Sequence, residues 1–370
     1  CIMSRIELKT LTPIHIGNGN FLQNNADFVV YQENENSFIY VIDLRKILVL
    51  VGEEHLDDWL LSIENRNDTV AGFVRRHSKN AQPDDYALRV ITNFAEVKTS
   101  DTLKECLHNG MGLYYIPGSS IKGAIRTAVL STLAKGKPLE SKVKDRNNKV
   151  NAKQIEKDFF GRDPNNDVFR FLQVGDAYFE DDCGIAIRMV NLNIRKKEDL
   201  MDNSKTQIVE AIGIENSTTF QMKIANAYYR WAKDRQPGDI AILPQEMESL
   251  TSLFMLINTY SESLVSSEID IWTDLTDRYS GADEYIENMQ LILEEIKQCR
   301  KGKECVLRIG YGVGWRFITG GWSEELSNFN EVVSASRPNN NRYEEYDFPK
   351  SRRLDKDGDI LGFVKLSIKE

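Results

Sequence analysis

The sequence predicts an α+β fold on three observations. Extended runs of alternating or continuous apolar residues stand at both ends of the chain, helix-period stretches lie between them, and two glycine-rich segments follow strand-like runs. With 370 residues, the chain exceeds the size at which a single core usually stops growing. Two modules are expected, residues 1–160 and 161–370, the second with a helical insertion at about 225–302 and a C-terminal glycine-rich loop.

The first element is read from Arg5 to Leu11, where polar and apolar residues alternate as in a half-buried strand that stops at Pro13. Phe28–Tyr31 and Phe38–Ile42 follow as strands on either side of a polar turn, and Asp43 is placed to cap a helix through Leu44 to Leu50. Residues 52–110 carry no pattern that bounds an element. Tyr114–Ile116 is strand-like and Pro117-Gly118 turns the chain. A helix then starts with Ser119 or Ser120 as its cap and Ile121, Ala124, Ile125, Ala128 and Val129 as its apolar stripe. Gly136 to Lys157 is charged and aperiodic, which predicts an exposed insertion. Strands are expected at 171–174, 184–187, 218–224, 306–309 and 360–366, and helices at about 247–264 and 283–300.

Composition excludes several classes. No apolar run approaches the roughly 20 residues of a membrane helix, and the opening Cys1-Ile2-Met3-Ser4 has neither the basic region nor the apolar core of a secretory signal. Five cysteines without a C-x-x-C pair, beside four histidines, predict neither a zinc site nor any other cofactor, and suit a reducing cytoplasm. The net charge of −9 conceals an uneven distribution: residues 119–157 alone carry +7, which leaves −16 on the remainder. A basic segment on an acidic body attracts phosphate on one side only.

Four segments offer chemistry. Ile14 to Asn20 places Gly17, Asn18 and Gly19 in a turn after a strand but before no helix, so it is not a dinucleotide fingerprint, and no P-loop motif occurs elsewhere. Pro117 to Arg126 combines a helix start with Ser119, Ser120, Lys122 and Arg126, a set of donors suited to phosphate. Gly123 inside that helix costs about 1 kcal/mol unless something approaches closely. Arg308 to Trp322 presents Gly312 and Gly314 between Tyr311 and Trp315, amides for phosphates beside surfaces for bases. Phe348 to Leu354 sets Lys350, Arg352 and Arg353 along an extended backbone.

Taken together, the segments at 13–19, 117–126 and 310–321, with the tail Phe348-Pro349-Lys350-Ser351-Arg352-Arg353-Leu354 and Leu361 to Leu366, resemble the repeat-associated mysterious proteins of CRISPR systems. Within that family they are most similar to the subunit that caps the guide-RNA 3′ end in type III-A (Csm) effectors. The resemblance implies ferredoxin-like (RRM-like) modules, no catalytic role, and contact with the 3′ portion of the guide at the end of the backbone filament. Target RNA, the backbone filament subunit and the small helical subunit are the other implied partners. Carried residue by residue, it implies guide contacts at Gly17, Asn18, Gly19, Ser119, Ser120, Lys122, Arg126, Gly312, Gly314, Lys350, Arg352 and Arg353. These contacts are expected on phosphate and ribose, because a guide's spacer varies in sequence.

The competing expectation is an endoribonuclease of the same family, for which His15 and Asp27 are the available acid–base or metal-holding groups. His15, between two isoleucines, reads instead as a packed histidine bonded to backbone, and Asp27 lacks a nearby second acid or basic partner.

Overall fold

The computed structural model describes residues 3–64, 68–141, 153–180, 182–236, 238–318, 320–336 and 348–369. In chain order its strands are Ser4–Thr10 (β1), Gly17–Gln23 (β2), Phe28–Glu33 (β3), Asn36–Ile42 (β4), Ala87–Asn93 (β5), Thr102–Cys106 (β6), Tyr115–Ile116 (β7), Leu172–Val174 (β8), Ala177–Tyr178 (β9), Gly184–Asn193 (β10), Met201–Ile212 (β11), Ser217–Ile224 (β12), Glu304–Arg308 (β13), Ser351–Asp355 (β14) and Phe363–Lys369 (β15). The helices are Leu44–Val51 (α1), Leu56–Glu64 (α2), Val70–His77 (α3), Pro83–Tyr86 (α4), Gly118–Ala134 (α5), Lys153–Phe160 (α6), Asn226–Arg235 (α7), Leu250–Thr276 (α8), Asp283–Gln298 (α9) and Phe329–Ser336 (α10). None of them is long and apolar enough to cross a membrane.

Two sheets organise the chain, and the expected α+β class is what they form. The first, ordered β13-β15-β1-β12-β8, is antiparallel throughout. Its central strand β1 turns Ile6, Leu8 and Thr10 inward and leaves Arg5, Glu7 and Lys9 on the wetter face, as strict alternation requires. Along the chain, α5 lies between β1 and β8, and α8 between β12 and the two strands β13 and β15. Helices α5 and α8 share one core with this sheet, in which Ile6, Leu8, Ile121, Ile125, Leu253 and Ile257 are fully buried. Each such side chain contributes about 1.5–3 kcal/mol by leaving water.

The second sheet runs β2-β6-β11-β10-β5-β4-β3, with β14 beside the distal half of β10. Parallel pairs at β6–β11 and β5–β10 interrupt an otherwise antiparallel ladder. Helices α8 and α9 lie against β13, β14 and β15 through Trp272, Tyr285, Val306, Leu354 and Phe363. A satellite core places α1, α2 and α3 on β3 and β4, with Trp59 and Phe73 edge to face at 4.9 Å.

Several expectations change. Strands from both sides of residue 160 share each sheet, so the division expected there does not separate two sheets. Gly17 to Asn20 is not a turn but the start of the edge strand β2, whose register shifts between Gly17 and Phe21. Lys153–Phe160, which overlaps the end of the expected exposed insertion, is helical, while 142–152 lies outside the described residues. The helix begun near Met247 continues to Thr276. Its Ser249 hydroxyl accepts from the Ser252 amide, and Asp43 caps α1 as read, accepting from the Arg45 amide at 2.9 Å.

Candidate nucleic-acid interface

The two glycine-rich segments meet. The Tyr311 amide donates to the His15 carbonyl at 2.9 Å, and a Cβ on Gly310 would lie 2.6 Å from that same oxygen. Glycine is required there twice over, since Gly310 also has φ +89°. Gly312 and Gly314 likewise sit at φ +80° and +83°. Asn18 and Asn20 are fixed by Glu105, which accepts from their side-chain amides at 2.6 and 3.1 Å.

Around this junction lies a group of cations. Lys104 Nζ stands 3.7 Å from the centre of the Tyr311 ring and the Arg353 guanidinium 6.0 Å from it, while His15 meets the ring edge-on at 5.4 Å. Burial pulls the Lys104 ammonium below the usual lysine range, and the charge of Arg353 pulls it further. Arg353 Nη1 is buried with no hydrogen-bond partner among the described residues. A cleft of about 430 Å³ continues from there, lined by Asn191, Arg195, Gly314, Trp315, Lys350 and Arg353 among others. Two cations that repel each other beside open glycine backbone form a place where an anion lowers the energy of both.

A buried carboxylate supports the junction from below. Glu210 is fully buried and accepts from Arg89 Nε at 2.8 Å, the Tyr114 hydroxyl at 2.7 Å and the Cys106 amide at 2.9 Å. Burial alone would raise its pKa, but His108, with Nε2 3.5 Å from the carboxylate, and the charge of Arg89 override that and hold it at about 2. The Glu210 carbonyl lies 2.5 Å from His15 Nδ1, so that nitrogen carries the proton. Burial keeps His15 neutral by lowering its pKa, and its Nε2 faces Gly17 with no hydrogen-bond partner among the described residues.

The remaining candidates divide. Arg352, one residue from Arg353, points the other way and is buried, donating to the fully buried Glu268 at 2.6 and 2.7 Å. It therefore belongs to the core and not to a guide-contacting surface. The serines do not cap α5: Pro117 is the N-cap, and the Gly118 amide donates to Asp176 at 2.8 Å, so a carboxylate already occupies the helix start. Ser119 is exposed and Ser120 half-buried within the first turn. Arg126 is spent on Glu156 and Asp167, each at 2.8 Å, over the Phe160 ring. Lys122 is half-buried; burial lowers its pKa, Asp167 opposing that and Arg126 adding to it. Gly123 has nothing within 4 Å of the position a Cβ would take. Trp315 is packed against Phe329 and Phe348. Asp27 is exposed and accepts from the Gln23 amide at 2.8 Å, closing its own turn.

Of the twelve expected residues, Gly17, Gly312, Gly314, Lys350 and Arg353 thus gather around one junction, with Asn18 and Gly19 on the adjoining edge strand. Lys104 and Arg195 join them without having been expected; Lys104 lies in the stretch whose elements the sequence does not bound.

A model of the RAMP superfamily matches residues 7–317. The chain belongs to that superfamily. Over 208 residues this RAMP protein is 30% identical to "CRISPR system Cms protein Csm5" of Methanocaldococcus jannaschii, a match that covers 53% of this chain and 48% of that protein. The match therefore spans about half the length of the curated relative. Two solved structures share the fold. One is a chain of a Csm–crRNA–target RNA ternary complex from a type III-A CRISPR-Cas system, with TM-score 0.68 and 21% identity over 99% of this chain and 100% of that one. The other is Csm5 of T. onnurineus, with TM-score 0.64 and 20% identity over 97% and 99%.

Proposed function

We propose that this RAMP protein is a non-catalytic, RNA-binding subunit of a type III-A CRISPR effector, holding the 3′ portion of the guide and capping the backbone filament. One observation carries the RNA reading: Lys104 and Arg353 flank Tyr311 at the meeting of two glycine-rich segments, with burial and mutual repulsion acting on Lys104 and no carboxylate paired to either cation among the described residues. A phosphodiester chain supplies the missing negative charge without any reading of bases. The relatives named Csm5 support the choice of assembly, and target RNA and the neighbouring Csm subunits are the further partners. Gly17, Asn18, Gly19, Gly312, Gly314, Lys350 and Arg353 remain the proposed contacts from the sequence, with Lys122 and the serines Ser119 and Ser120 as a second group on α5.

The non-catalytic reading is supported by His15, whose Nδ1 is committed to a backbone carbonyl, and by Asp27, which closes a turn. The decisive experiment has two arms. The purified chain should bind single-stranded RNA of arbitrary sequence with an affinity that falls steeply between low and high salt. In the assembled particle, photocrosslinks from the guide's 3′ portion should map to residues 17–19, 104, 312–314 and 350–353. Salt-insensitive binding with no guide crosslink to this chain would leave a scaffold without RNA contact, and crosslinks at other residues would move the interface away from this junction.

A further inference from the structure

Among the described residues, two groups of side chains bring three potential metal ligands within 4.8 Å of one another: Glu105, His108 and Glu210, and separately His55, Asp58 and His77. The first group is already neutralised. Arg89 donates to both of its carboxylates, at 2.8 and 2.9 Å, and a cation placed there would meet the guanidinium charge. In the second group no guanidinium is hydrogen-bonded to a ligand among the described residues; Arg76, whose charge reaches Asp58, is paired with Asp68 instead. His55 and His77 face each other with ring centres 4.1 Å apart, and Asp58, one turn beyond His55, lies 3.6 Å from its Nδ1. The further neighbour of His77 is another ring, Phe73 at 4.7 Å.

We infer that His55, Asp58 and His77 form a site for one divalent transition-metal ion of the zinc class, which fastens α2 to the C-terminal end of α3. Two imidazoles and a carboxylate are the ligand set that suits Zn²⁺, with water in the fourth position, whereas Mg²⁺ and Ca²⁺ prefer an all-oxygen shell. Ligand bonds of about 2.0–2.2 Å separate tetrahedral ligand atoms by roughly 3.4 Å, so side chains now within 4.8 Å of one another need to close by up to about 1.4 Å, within reach of rotamer adjustment at a partly exposed site. The element being fastened is one that needs it. Among its described side chains Trp59 is the buried anchor of α2, while Leu56, Leu60 and Leu61 are 42%, 51% and 62% exposed. Along the sequence, the lack of C-x-x-C pairs predicts no zinc site; folding instead assembles the ligands from His55-x-x-Asp58 and a histidine at the end of another helix. The site is independent of the RNA-binding reading.

The test uses the full chain, free of any histidine tag and stripped with a chelator. Titration with Zn²⁺ followed by dialysis and metal analysis should leave a single equivalent bound, and Zn²⁺, but not Mg²⁺ or Ca²⁺, should raise the melting temperature. His77→Gln should lose the metal and the shift while melting like the metal-free wild type. Asp58→Asn, at an exposed position, should weaken binding and decides the matter if the histidine variant does not fold. His108→Gln should retain full binding. No bound zinc in the wild type, binding that survives both His77→Gln and Asp58→Asn, or binding lost in His108→Gln overturns the assignment.

Discussion

Lys104 and Arg353 bear like charges beside one tyrosine ring, and burial already disfavours the charged form of Lys104. Removing either cation relieves the other, so the variants Lys104→Ala and Arg353→Ala should leave the fold unharmed or slightly firmer. Each should weaken single-stranded RNA binding and lower the slope of log affinity against log salt by roughly one unit. Filter binding across a salt series reads both; an unchanged slope would place the phosphate elsewhere. The neighbouring His15 gives the opposite kind of prediction. Its Nδ1–H is held by the Glu210 carbonyl and its ring is kept neutral, so His15→Ala should disturb packing without altering RNA cleavage by an assembled particle, and Asp27→Asn should do neither. Cleavage lost in either variant, in particles of normal composition, establishes the endoribonuclease alternative.

Helix α5 illustrates how an element can be right and its ends wrong. Of its expected stripe, Ile121, Ile125, Ala128 and Val129 are fully buried and Ala124 partly so, but Pro117, not a serine, caps it, and Asp176 from a segment 58 residues away takes the Gly118 amide. No local pattern announces a carboxylate delivered from that distance. The same limit hid β11, for which no strand is expected from the sequence: Met201-Asp202 and Gln207–Ile212 pair with β10, and the register shift between Met189 and Asn191 leaves residues 203–206 without a partner on that strand. Strand β1 was legible because one face is buried and the alternation shows it, and β4 because Phe38–Ile42 is a continuous apolar run, buried from Ile39 onward. Alternation also held an unused signal in β14: side chains two apart share a face, so Arg352 beside an outward Arg353 had to point inward. Gly123 tests the outer face of α5. Nothing lies within 4 Å of its Cβ position, so Gly123→Ala should stabilise the isolated protein by about 0.5–1 kcal/mol. If a nucleic-acid backbone passes this face, the same methyl should reduce guide retention in the particle; retention at wild-type level, together with the gain in stability, would remove α5 from the interface.

Across the whole molecule, two fully buried glutamates join segments remote in sequence. Glu210 on β11 gathers Arg89, Tyr114 and the Cys106 amide beneath the second sheet's glycine edge. Glu268 on α8 gathers Arg352 from β14, Arg316 at 2.9 Å and the Tyr285 hydroxyl at 2.7 Å. For Glu268, burial pushes the pKa upward, but the charge and hydrogen bonds of Arg352 prevail and hold it at about 2, as Arg89 and His108 do for Glu210. A carboxyl whose folded pKa lies below its unfolded value stabilises the fold above the unfolded value, and that contribution fades as the pH falls toward the folded one. The window therefore runs from about pH 4.5 down to about 2. Urea unfolding should show little change between about pH 7 and 5 from these two groups and a steep loss below about pH 4. Glu268→Gln separates them: at neutral pH it strands Arg352 in the interior and should cost about 3–5 kcal/mol, yet its stability should fall less steeply in acid, because one of the two titrating carboxyls is gone. An acid limb of wild-type slope in that variant would mean that Glu268 does not hold its proton affinity low, and that the contact between α8 and β14 rests on apolar packing alone.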